Sequence, residues 1–134
     1  METARRVLPK DKQRLLLVED DPGVRRSLQL LFQANGYDVR AYASSATLLS
    51  DPSALDAVCL IADYRMADCD GIDTLERLRA KGWMGPAVLI TGFPSTALSE
   101  RAQKAGFGAT LEKPLRKQAL LKSVERLVHL EPGG

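Results

Sequence analysis

The chain has 134 residues, 45% of them hydrophobic and 27% charged, which suits one folded domain and excludes both a disordered chain and a multidomain enzyme. Its net charge of +2 comes from the first 14 residues, where five basic side chains face two acidic ones, so the remainder is slightly acidic and carries no nucleic-acid footprint. Apolar runs reach about six residues, against about 20 for a membrane span. The basic N-terminus lacks the apolar stretch of a signal peptide, and a cytoplasmic location is expected.

In chain order, residues 1–13 have no hydrophobic period and contain Pro9, so a flexible tail is expected there. Leu15-Leu16-Leu17-Val18 is a short continuous apolar run, the pattern of a strand buried on both faces. Val24, Leu28, Leu31 and Phe32 follow at helical spacing, with Asp21 as cap, Pro22 at the first helical position and Gly36 at the end. Tyr37 to Tyr42 is a more polar strand, nearer an edge, and Ser44 to Leu49 a short helix.

Val58-Cys59-Leu60-Ile61 is the third strand, with Cys59 an inert core thiol. Cys69 falls in the polar loop after it, and no disulfide is expected in a reducing compartment. With one histidine and two cysteines there is no Cys/His zinc site. Ile72, Leu75 and Leu78 mark the next helix. Trp83 packs in the loop before the fourth strand, Ala87-Val88-Leu89-Ile90. Leu98, Ala102 and Ala105 mark a helix ended by Gly106. Ala109-Thr110-Leu111 is a short fifth strand, followed by Lys113 near the start of the last helix and by the stripe Leu120, Val124, Leu127, Val128. Residues 131–134 read as a C-terminal tail, leaving a domain at 14–130.

Five strand–helix repeats with right-handed crossovers predict a flavodoxin-like α/β domain. Its five-stranded parallel sheet has the expected order 2-1-3-4-5, with five flanking helices. Ligands in such a sheet bind beyond the carboxyl ends of the strands, where the strand order reverses. Those ends carry Glu19-Asp20-Asp21, Asp63, Thr91-Gly92 and Glu112-Lys113-Pro114. Close carboxylates repel, so either a pKa rises or a cation sits among them. Oxygen ligands without His or Cys favour Mg²⁺ or Mn²⁺. A hydroxyl and an ammonium opposite would complete a phosphoryl clamp, with Asp63 as candidate nucleophile.

At this point the chain resembles the receiver domains of bacterial two-component response regulators. The resemblance spans roughly residues 14–129 and rests on motifs in order. These are Leu-Val-Glu-Asp-Asp at 17–21, Ala-Asp-Tyr-Arg-Met-Ala-Asp-Cys-Asp-Gly at 62–71, Leu-Ile-Thr-Gly at 89–92 and Lys-Ala-Gly…Glu-Lys-Pro at 104–114. Arg-Met after Asp63 and Ile-Thr-Gly point to the FixJ-like branch. The resemblance implies that Asp63 accepts a phosphoryl group from a histidine kinase. It also implies that Asp20 and Asp63 bind Mg²⁺ directly, Glu19 binds it through water, and the Arg65 carbonyl supplies another ligand. Thr91 and Lys113 would hold phosphoryl oxygens, and the Lys113–Pro114 peptide would be cis. Further implied partners are an effector protein or output domain and a phosphorylation-dependent homodimer, with no direct nucleic-acid or membrane contact.

Three positions depart from the family pattern. Glu19 stands where Asp is commoner, and Ala67 replaces a proline in the loop after Asp63, which would loosen that loop. Thr110 occupies the switch position that usually carries an aromatic, with Phe107 as a candidate substitute. A degenerate receiver binding partners without phosphate is therefore the alternative. A phosphohydrolase of this fold would want an aspartate where Arg65 stands, and a flavin phosphate would be repelled by the carboxylates. Arg65 and Phe93 occupy positions that tune dephosphorylation in the family. Arg25 and Arg26 read as a solvated helix face, and His129 suits a helix C-terminus.

Overall fold

The computed structural model describes residues 13–129. The tails expected at 1–13 and 131–134 lie outside them, apart from Gln13, whose carbonyl accepts a hydrogen bond from the Asp38 amide. The strands are β1 (Arg14–Val18), β2 (Asp38–Tyr42), β3 (Cys59–Asp63), β4 (Ala87–Thr91) and β5 (Ala109–Glu112). The helices are α1 (Pro22–Ala34), α2 (Ser45–Leu49), α3 (Gly71–Ala80), α4 (Thr96–Ala105) and α5 (Lys117–Val128), with a 3-10 turn at Pro52–Asp56 that no sequence signal announced. The sheet is parallel throughout, in the expected order β2-β1-β3-β4-β5.

Alternation along the strands explains their unbroken apolar runs, because successive side chains point to opposite faces and both faces are covered. Leu16, Val18, Leu60, Ala62 and Leu89 meet Leu48, Leu75, Leu78, Leu98 and Phe107, on the side of α2, α3 and α4. Leu15, Leu17, Cys59, Ile61, Val88 and Ile90 meet Leu28, Phe32, Leu120 and Val124, on the side of α1 and α5. Burial pushes the Cys59 thiol up to about 12, which makes it unreactive.

Local chemistry sets the helix ends. The Asp21 carboxylate accepts from the Val24 amide at 3.0 Å, with Pro22 at the start of α1. Asp70 and Ser95 cap α3 and α4 in the same way, and Gly106 ends α4 at φ 116°, where a side chain would be strained. Trp83 is buried, its Nε1 donating to the Ala57 carbonyl at 2.9 Å. Lys113 lies just beyond β5, at the strand end where the sequence reading put it, and α5 begins four residues later at Lys117, after an Arg116 cap with no side-chain bond.

Candidate functional site

The acidic turn after β1 is fixed at three points. The Glu19 amide donates to the Tyr42 carbonyl at 3.1 Å, joining the turn to β2. The Glu19 carbonyl accepts from Arg25 at 2.9 Å. Glu19 Oε2 accepts from the Asp21 amide at 3.1 Å. Glu19 is 1% exposed, whereas Asp20 faces solvent. Asp63, at the end of β3, is buried too.

Among the described residues, Glu19, Asp20 and Asp63 bring carboxylate oxygens within 4.8 Å of one another. Burial pushes the Glu19 carboxyl up to about 7, the Asp63 charge adding to the effect while the Asp21 amide and Lys113 oppose it. Glu19 Oε1 is buried and accepts no hydrogen bond. It faces Lys113 Nζ across 3.5 Å, longer than a good N–H···O bond. A hard cation fits this arrangement, since it would occupy the acidic trio and restore the ionised form of Glu19.

Lys113 completes the opposite wall. Its Nζ donates to Asp63 Oδ2 at 3.0 Å, and its amide donates to the Thr91 carbonyl at 2.8 Å. Burial pulls its pKa down, but the bond to Asp63 and the charges of Glu19 and Asp63 outweigh this and raise it. The Lys113–Pro114 peptide is cis. Thr91 is buried at the end of β4, and its Oγ1 accepts from the Phe93 amide at 3.1 Å. The predicted residues Glu19, Asp20, Asp63, Thr91 and Lys113 thus gather at one sheet edge.

Arg65 opens the loop after Asp63, next to a depression of about 550 Å³ lined by Asp20, Tyr64, Arg65, Met66, Ala67 and Asp70. Its guanidinium lies 4.7 Å over the exposed Phe93 ring, so two residues from different loops roof the same edge. Thr110 sits half-buried on β5, paired with Leu89. Phe107 is a core residue packed among Leu89, Leu98 and Ala102 on the far side of Gly108.

Three supporting residues have roles that the sequence did not reveal. Arg25, read as solvated, holds the Glu19 carbonyl. Gly71 lets α3 approach β3, because a Cβ there would lie 2.7 Å from the Asp63 carbonyl oxygen and 2.8 Å from Leu89 Cδ1. Asp68 fastens the loop after Asp63 to α2. Asp68 and Gly71 both fall within the 62–71 motif, but nothing in the sequence showed what either one touches.

Residues 15–125 match the sequence model of the response regulator receiver domain family. The chain belongs to that family. As a receiver domain it is a component of phosphorylation-based two-component signalling. It is 32% identical over 108 residues to the transcriptional regulatory protein FixJ of Azorhizobium caulinodans, covering 81% of this chain and 51% of that protein. It is 34% identical over 110 residues to nodulation protein W of Bradyrhizobium diazoefficiens, covering 82% and 48%. The crystal structure of FixJ-N superposes with a TM-score of 0.78 at 30% identity, covering 90% of this chain and 97% of that chain. The FixJ-like character read from Arg-Met and Ile-Thr-Gly therefore holds. The receiver domain spans about half the length of these two curated relatives.

Proposed function

We propose that this receiver domain is a switch in which Asp63 takes a phosphoryl group from the phosphohistidine of a histidine kinase. The observation that carries the reading is the Lys113–Asp63 contact of 3.0 Å inside a trio of carboxylates. Mg²⁺, or Mn²⁺ in its place, would be held by Asp20 and Asp63, by the Arg65 carbonyl, and by Glu19 through water. When bound, the cation offsets the carboxylate charge and that of the incoming phosphoryl oxygens.

An oxygen of Asp63 forms the new O–P bond as the N–P bond to the kinase histidine breaks, the electron pair leaving on the imidazole. Lys113 Nζ transfers its hydrogen bond from Asp63 to a phosphoryl oxygen. The Thr91 hydroxyl, now an acceptor from Phe93, donates to another. The domain catalyses this transfer and the later hydrolysis of its own acyl phosphate, with no separate small-molecule substrate. Movement of Thr91 and Lys113 shifts the face of α4, β5 and α5, roughly residues 94–129. An effector protein, an output domain or a second phosphorylated copy reads that face.

The unit is residues 14–130, flanked by tails, and it works in the cytoplasm without direct nucleic-acid contact. No helix among the described residues is long and apolar enough to cross a membrane.

Thr110 favours a second reading, a degenerate receiver that binds its partner without phosphate, because the usual aromatic half of the switch is missing. Intact mass after incubation with acetyl phosphate and Mg²⁺ separates the two. A single phosphoryl adduct, absent with chelator and in Asp63→Asn, is the expected result. No adduct, with Mg²⁺ shown to bind and hydrolysis too slow to hide the product, overturns the phosphoacceptor reading and leaves the second one.

A further inference from the structure

The loop from Tyr64 to Asp70 is anchored at both ends and at one point between them. At its start the Tyr64 amide donates to the Ile90 carbonyl at 2.8 Å, and the Gly71 amide donates to the Tyr64 carbonyl at 2.9 Å. Between them stands Asp68, whose carboxylate reaches 22 residues back along the chain. Its Oδ2 accepts from the Ala46 amide at 2.8 Å, and its Oδ1 from the Ser45 amide at 3.3 Å and the Cys69 amide at 3.0 Å. These amides stabilise the ionised carboxylate and lower its pKa, the Ala46 amide most of all.

A second contact lies alongside. Thr74 and Ser45 are both buried, and the Thr74 hydroxyl donates to Ser45 Oγ at 2.9 Å. The first turn of α2 is thus held from its own side by Ser44, which accepts from the Thr47 amide, and from the far side by the loop that carries Arg65. Ala67 removes the ring that would stiffen this loop in the family pattern, so the restraint on its backbone falls to a side-chain bond instead.

We infer that Asp68 is a positioning residue for cation binding, holding the Arg65 carbonyl in place by fastening its loop to α2. The inference rests on the reading of the acidic edge as an Mg²⁺ site. If the loop geometry that binds Mg²⁺ depends on the Asp68–α2 contact, cation binding must reciprocally protect the Ser45 and Ala46 amides.

The test uses the full 134-residue chain and two readouts: Mg²⁺ affinity by isothermal titration calorimetry, and hydrogen exchange of the Ser45 and Ala46 amides with and without Mg²⁺. Asp68→Ala is expected to weaken Mg²⁺ binding several-fold and to abolish the Mg²⁺-dependent protection. Asp68→Asn keeps one of the two acceptor oxygens, enough for the Ala46 amide, and is expected to recover part of the affinity. Ser44→Ala loosens the same helix turn without touching the loop, and its Mg²⁺ affinity is expected to match the parent.

Three outcomes overturn the proposal. An Asn variant as weak as the Ala variant would show that the Ala46 bond does not support cation binding. A Ser44→Ala variant as weak as Asp68→Ala would assign it to general loosening of α2. Unchanged affinity in Asp68→Ala would remove the link altogether. Absence of Mg²⁺ binding in the parent chain is a different result and counts against the site reading itself.

Discussion

The two walls of the site are built to different standards. On the acidic wall, Glu19 is fixed by bonds to its amide, its carbonyl and its carboxylate, and Asp63 ends a strand that is buried along its whole length. On the opposite wall, β5 has four residues and none is fully buried, Phe93 is 68% exposed, and Thr110 has no ring to place. Rigidity is concentrated where the chemistry would use it. Cation binding and nucleophilic attack reward a fixed geometry, whereas the segment proposed to shift on phosphorylation needs little resistance to movement.

The largest break in this contrast should come from the rigid side. Gly71→Ala forces a methyl against the Asp63 carbonyl and Leu89. The expected loss is about 2 kcal/mol in urea unfolding followed by circular dichroism, with slower adduct formation. An unchanged midpoint would show that α3 has room to retreat from β3.

Glu19→Gln sharpens the comparison through pH. A carboxyl whose pKa is raised on folding, here from 4.5 to about 7, destabilises the fold once it is ionised. In chelator its contribution to stability falls as pH rises from about 4.5 to about 7 and then stays constant. The variant's melting temperature should therefore pull ahead of the parent's across that window, and Mg²⁺ should narrow the gap. A gap that does not change with pH would mean that Glu19 is not strained.

Smaller effects belong to the open wall. Phe93→Ala removes the ring beneath Arg65, and it should change stability by no more than about 0.5 kcal/mol. Water then reaches the acyl phosphate more freely, so the adduct should decay a few-fold faster by intact mass. The smallest effect on the phosphoryl chemistry is expected for Thr110→Ala, which should cost less than about 1 kcal/mol of stability and leave adduct formation at the parental rate. A large effect on phosphorylation would give Thr110 a part that its half-exposed strand position does not suggest.

The sequence was most informative where one physical constraint acted locally. The runs at 15–18, 58–61 and 87–90 suited strands covered on both faces, and Asp21 and Gly106 stand at the helix ends they signalled. The polar residues at the strand ends followed once the strand order was known. What stayed hidden was held across the chain. Asp68 looks like any loop aspartate until α2 is beside it, and Arg25 looks solvated until the Glu19 carbonyl turns toward it. The start of α5 carried no local signal, because Arg116 offers no side-chain cap. The 3-10 turn at Pro52–Asp56 follows Asp51, whose carboxylate accepts from the Ser53 amide, a local bond that the short-helix pattern concealed.

Trp83, the only tryptophan, lies before β4 with its indole fixed to the Ala57 carbonyl. A five-residue strand separates that end of the sheet from Thr91, a span of roughly 17 Å. Its ultraviolet emission should therefore stay constant while a cation or a phosphoryl group arrives at the other end, and change only when the domain opens. The molecule thus carries an intrinsic optical gauge of global unfolding at the end of the sheet opposite the acidic edge.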